Sequence, residues 1–128
     1  MTPAALEKRL RFWQRALKLD HWTIAFEVVD ECSTGPEASA CVFRSNDYDT
    51  ADVQVRADVA DKSGFELDIT IVHELLHVLF RDYDEAVNDI LSRLHDADHP
   101  VSQARMAHEN EGVIDRLARL LVSDTLQA

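Results

Sequence analysis

Three residues capable of metal and proton chemistry stand close together in an otherwise apolar run: His73, Glu74 and His77, within Ile71-Val72-His73-Glu74-Leu75-Leu76-His77-Val78-Leu79-Phe80. The pattern is HExxH. On a helix, positions i and i+4 share a face about one turn apart, so both imidazoles can reach a single zinc ion. Glu74 follows the first histidine and sits beside such an ion rather than on it. From there it can take a proton from a water whose pKa zinc has lowered to about 7, and pass it to a leaving amine. The alternative is a pair of core histidines hydrogen-bonded to backbone, with Glu74 at a rim. Polar groups in an apolar helix cost free energy unless something satisfies them, and three at this spacing favour the metal.

A catalytic zinc keeps three protein ligands and one open position. The candidates for the third ligand are His95, His99, His108, Glu109 and Glu111. The longer pattern HExxHxxGxxH is absent, because VLFRDYDEA follows His77. Glu111 and Asp115 form an ExxxD pair one helical turn apart. That spacing lets Glu111 ligate while Asp115 accepts a hydrogen bond from the ring N–H of a ligating histidine, which fixes its tautomer. Glu109 competes, since it lies nearer the centre of an apolar stripe of Val113, Ile114, Leu117, Leu120 and Leu121.

Thr2-Pro3 reads as a helix start, and Leu6, Leu10, Trp13 and Leu17 recur at helical spacing, giving an amphipathic helix to about Leu19. Trp22, Ile24, Phe26 and Val28 alternate as in a half-buried strand, with His21 and Trp22 structural. After the turn CSTGPEA, residues 38–44 and 52–56 read as two short strands joined by SNDYDT. Ser63-Gly64-Phe65-Glu66 fits a capping box, so a helix runs from there to about Phe80. Val87, Ile90, Leu91 and Leu94 share one face of a weaker amphipathic segment, and a long final helix starts near Val101. Strands in one block with helices mainly after it imply an α+β fold, a small, mainly antiparallel three-stranded sheet with helices on one face.

The 128 residues suit one domain, residues 1–128, with a single modest core. Net charge is −11, unevenly spread: residues 1–18 carry about +4, which leaves −15 for the rest. So acidic a body argues against a nucleic-acid surface, which needs clustered cations. The basic first helix reads instead as solvated or docked on the acidic remainder. No apolar run spans a membrane and no signal-peptide core opens the chain, so a cytoplasmic protein with Cys32 and Cys41 reduced is expected.

HExxH followed by ExxxD resembles the gluzincin metallopeptidases. The string Glu111-Gly112-Val113-Ile114-Asp115-Arg116-Leu117-Ala118-Arg119-Leu120-Leu121 is similar to the ExxANxFAxxLL segment of the ImmA/IrrE-like metallopeptidases, small cytosolic proteins associated with phage repressor and stress-response regulation. The order of elements resembles the minimal zincins, or minigluzincins, encoded by phages and prophages. The resemblance implies a minimal zincin-like domain whose substrate is a protein or peptide. It implies zinc on His73, His77 and Glu111 (Glu109 being the alternative), Glu74 as general base, and Asp115 bonded to His73. It also implies that the strand at 52–56 is the edge strand that pairs with an extended peptide.

This chain departs from the family in the 34 residues (111 − 77) between His77 and the glutamate, which hold an extra amphipathic segment. No cation stands out there as the group that stabilises an oxyanion; Tyr83, His95, His99 and His108 are the options. The rival from another class is a zinc-containing domain that binds a partner's extended segment without cutting it. A nucleic-acid role through residues 8–18 is the weakest reading.

Overall fold

The computed structural model describes residues 2–62, 64–93 and 99–127. The elements are α1 (Pro3–Ala16), β1 (Thr23–Val29), β2 (Ala40–Arg44), β3 (Thr50–Arg56), α2 (Ala57–Ala60), α3 (Gly64–Leu79), α4 (Arg81–Leu91) and α5 (His99–Gln127). Among the described residues the fold is α+β, with five helices and a three-stranded mixed sheet.

Thr2 caps α1, its hydroxyl accepting from the Ala5 N–H at 3.2 Å, and Leu6, Leu10 and Trp13 form the buried stripe. The helix ends three residues earlier than its apolar spacing suggests. Lys18 takes a left-handed φ of 60° and the Leu19 N–H donates back to the Gln14 carbonyl, so the chain reverses and Leu19 joins the core. Arg9 carries α1 onto α3 by pairing with the buried Asp68, where its Nη2 lies 3.1 Å from Oδ2. The basic helix thus docks on an acidic group of the domain.

The sheet corrects two expectations. Its order is β1-β3-β2, with β1 parallel to β3 and β2 antiparallel to it, so the sheet is mixed rather than mainly antiparallel. The short turn at 45–49 forces a β2–β3 hairpin, whereas the longer connection at 30–39 lets β1 lie on the far side of β3. The strand at 52–56 is therefore central and not the edge. Its inward residues Ala51, Val53 and Val55 are all buried, as expected of a strand flanked on both sides. The edge nearest α3 is β2 instead.

Helix α3 packs against the sheet, α1, α4 and α5, which explains why it is apolar nearly all round. The expected capping residue Ser63 lies outside the described residues. In α4, Leu91 is buried while Ile90 is exposed, and Leu94 lies outside the described residues. No helix among the described residues is long and apolar enough to cross a membrane.

The final helix also differs in phase from its expected stripe. Ile114, Ala118 and Val122 are buried, whereas Val113 is 41% and Leu120 64% exposed. Leu117 and Leu121 are partly buried beside them. Because this phase decides which acidic side chains face α3, it is worth testing. Ile114→Ala should cost about 3 kcal/mol and Leu120→Ala less than about 0.5 kcal/mol in urea unfolding. The opposite order would restore the stripe that spacing alone suggests.

Candidate metal centre

Helix α3 presents His73 and His77 one turn apart, with ring centroids 5.2 Å from each other. Facing them, α5 presents Glu111. Its Oε2 lies 3.2 Å from His73 Nε2 and its Oε1 lies 2.8 Å from His77 Nε2, so one carboxylate spans both imidazoles. Ligating atoms from the three residues lie within 4.8 Å of one another. Four tetrahedral ligands at about 2.0–2.2 Å from zinc sit roughly 3.3–3.5 Å apart, so this donor set of two imidazoles and a carboxylate fits such an ion with small adjustments. Glu111 remains 57% exposed on its outer side, which leaves room for a further ligand from solvent.

Glu109 is exposed and takes no part in the cluster. The phase of α5 explains this. Glu111 lies seven residues before the buried Ala118, two turns along the same face, while Glu109 is rotated well away from that face. Asp115 is one turn beyond Glu111, with Oδ1 3.9 Å from His73 Nδ1 and Oδ2 accepting from Arg119 Nε at 3.1 Å. It therefore faces the ring nitrogen that Glu111 does not touch, just beyond hydrogen-bonding distance.

Glu74 is only 8% exposed, and its carboxyl lines the same cleft. Burial, reinforced by the charge of Glu111, pushes it up to about 8. A divalent cation on the triad would oppose the second cause and draw that value back down. Burial likewise lowers the pKa of His77 against the pull of Glu111, favouring the neutral imidazole that a metal requires.

The cleft has a volume of about 540 Å³ and three walls. One wall is residues 39–42 and Arg44, the second is α3, and the third is Glu111, Asp115 and Arg119 of α5. Consecutive side chains in a strand point to opposite faces, so a wall made of four consecutive residues is the backbone edge of β2. Cys32 and Cys41 are free, buried thiols in mutual contact, and Cys41 Sγ also donates to Gln54 Oε1 at 3.3 Å.

Tyr83 and His108, two of the residues considered for the oxyanion, are exposed and do not line the cleft. His95 and the side chain of His99 lie outside the described residues. Trp22 is buried under Arg81, whose guanidinium carbon lies 4.4 Å from the ring centroid, a packing role as expected; His21 pairs at 3.9 Å with Asp49, away from the cleft.

Arg44 was not legible in the sequence. From β2 its guanidinium donates to the His77 carbonyl and, at 2.7 Å, to Asp84 of α4, which in turn accepts from Asn110 of α5 at 2.7 Å. This chain ties four elements together beside the triad. Only an Arg at the end of a strand marked it in advance, and that is no signal.

Comparison with family models, curated proteins and solved structures finds no significant match for this chain. The site therefore rests on its own geometry. In zinc titrations, Glu111→Ala should lower affinity more than about 100-fold and Asp115→Ala about 10–100-fold. Glu109→Ala should leave it unchanged; a larger loss there than at Glu111 would transfer the ligand role.

Proposed function

We propose that this protein is a zinc-dependent metallopeptidase of minimal gluzincin type, similar to the ImmA/IrrE-like and phage-encoded enzymes, acting on protein or peptide substrates. The observation that carries the reading is the convergence of His73, His77 and Glu111 from two helices, with the buried carboxyl of Glu74 lining the same cleft. A closed structural zinc site uses four protein ligands and has no need of a base. Here three donors converge among the described residues, and a carboxyl stands beside them.

His73, His77 and Glu111 would hold the zinc ion, which when bound would supply Lewis acidity, lowering the pKa of a water to about 7. Glu74 takes the proton of the attacking water and returns it to the leaving amine. Asp115, 3.9 Å from His73 Nδ1, would orient that ring by accepting its N–H after a small shift of either side chain. The free edge of β2 offers backbone donors and acceptors to an extended substrate, which keeps the scissile bond against α3. The unbonded thiols of Cys32 and Cys41 suit a reducing, cytoplasmic setting.

A second reading, an inactive zinc-containing domain that binds an extended segment of a partner, has one observation in its favour. The two arginines of the cleft are each engaged, Arg44 with Asp84 and Arg119 with Asp115, so neither is a ready oxyanion partner. Glu74→Gln separates the two readings. Under the peptidase reading it keeps full zinc content and lowers hydrolysis of an unfolded protein substrate by about 10²–10⁴-fold. Hydrolysis at the original rate would remove Glu74 from the chemistry.

A further inference from the structure

The basic charge of α1 is only partly used by the fold. Arg9 pairs with the buried Asp68 of α3, and Arg11 pairs with Glu7 one turn away and donates to the Ile24 carbonyl at 2.9 Å. Lys8 and Arg15 are exposed and form no ion pair among the described residues.

These two cations share a face with an exposed aromatic ring. On a helix that advances about 100° per residue, Arg15, Lys8, Phe12, Ala5 and Arg9 follow one another, in that order, across about 120° of its surface. Phe12 stands at the centre of the face and is 47% exposed. Beside it lies a hollow of about 420 Å³ lined by Ala5, Lys8, Arg9, Phe12, Trp13 and Asp68. The surface of the hollow is mainly carbon. Phe12 meets Trp13 edge to face at 5.1 Å, and long basic side chains such as Lys8 and Arg9 offer apolar stems. The bonded Arg9–Asp68 pair closes the α3 side, where its Nη2 lies 3.1 Å from Oδ2. Phe65, also exposed, stands nearly one turn before Asp68 on α3, so a second aromatic flanks that wall. The hollow shares no residue with the metal cleft.

Charge decides what can cover this face. A large apolar side chain entering the hollow has a satisfied ion pair on one flank and two unpaired cations on the other. A carboxylate beside that side chain gains Lys8 or Arg15. A cation gains nothing, because Asp68 is already held by Arg9. The rest of the molecule limits the partner's extent, since residues 1–18 carry about +4 and the remainder −15. A nucleic acid or an anionic bilayer spreads far beyond two free cations and meets that acidic body, which repels it. A short acidic segment does not.

We propose that this face of α1 is a docking site for an acidic segment of a partner protein. A large apolar side chain of the segment covers Phe12 and enters the hollow, while its carboxylates pair with Lys8 and Arg15. The site stands apart from the metal centre and holds its partner whether or not any bond is cut there.

The test uses the full chain carrying Glu74→Gln, so that no peptide is consumed, and a phage-displayed library of random short peptides. The library is first depleted on the same chain with Phe12→Ser added, which removes peptides that bind elsewhere. The peptides then enriched should be acidic and should carry an aromatic or large aliphatic anchor. Replacing that anchor by alanine should weaken binding at least about tenfold. Adding Lys8→Glu and Arg15→Glu together should weaken it by a similar factor, with the chain still folded by circular dichroism. No enrichment, enrichment of neutral or basic peptides, or binding indifferent to Lys8 and Arg15 overturns the proposal. Two further results would replace the occupant and overturn it as well. One is binding to phosphatidylserine vesicles that is lost with Phe12→Ser; the other is concentration-dependent self-association lost with the same change.

Discussion

The contact on which the site depends is the carboxylate of Glu111 spanning two imidazoles, 3.2 Å from His73 and 2.8 Å from His77. That contact is a consequence of packing. Burying a large aliphatic side chain such as Ile114 or Val122 is worth about 1.5–3 kcal/mol, while a half-exposed ion pair contributes about 0–1 kcal/mol. The apolar stripe of Ile114, Ala118 and Val122 therefore sets the rotation of α5 on α3, and Glu111 follows two turns before Ala118. The acid is aimed by hydrophobic burial, not by its own attraction to the histidines.

The electrostatics of the site follow from the same burial. Packing α3 between the sheet and α5 takes Glu74 largely out of water and raises its pKa, with the charge of Glu111 adding to the effect. It also lowers the pKa of His77, against the opposing charge of Glu111. Both shifts suit the proposed cation site: burial favours the neutral form of His77, and a positive neighbour would favour ionisation of the Glu74 carboxyl. The Arg44–Asp84–Asn110 chain then braces the surrounding elements, joining β2, the end of α3, α4 and α5 beside the triad.

What the sequence disclosed was local. HExxH and ExxxD are i,i+4 patterns, and any helix at those positions presents each pair on one face. The β2–β3 hairpin was equally readable from its turn. The strand order was not, because whether β1 lies beside β2 or beyond β3 depends on pairing between segments more than twenty residues apart. That error put the edge strand at 52–56 when the cleft is bordered by β2. The phase of α5 misled for another reason. Leucines at 117, 120 and 121 dominate a count of apolar residues, yet Leu120 is exposed and the small Ala118 is at the contact. Hydrophobicity ranks side chains by size, whereas close helix packing selects small ones. Arg44 belongs to tertiary structure alone, since its partners lie 33 and 40 residues away.

The central claim is a zinc ion held by two imidazoles and a carboxylate with a position left for water. X-ray absorption at the zinc edge of the metal-loaded protein measures that shell directly. Four light neighbours are expected at about 2.0–2.2 Å, two of them with the multiple scattering of imidazole. A sulfur shell at about 2.3 Å, which would move the metal to Cys32 and Cys41, or a shell of three or more imidazoles would contradict it.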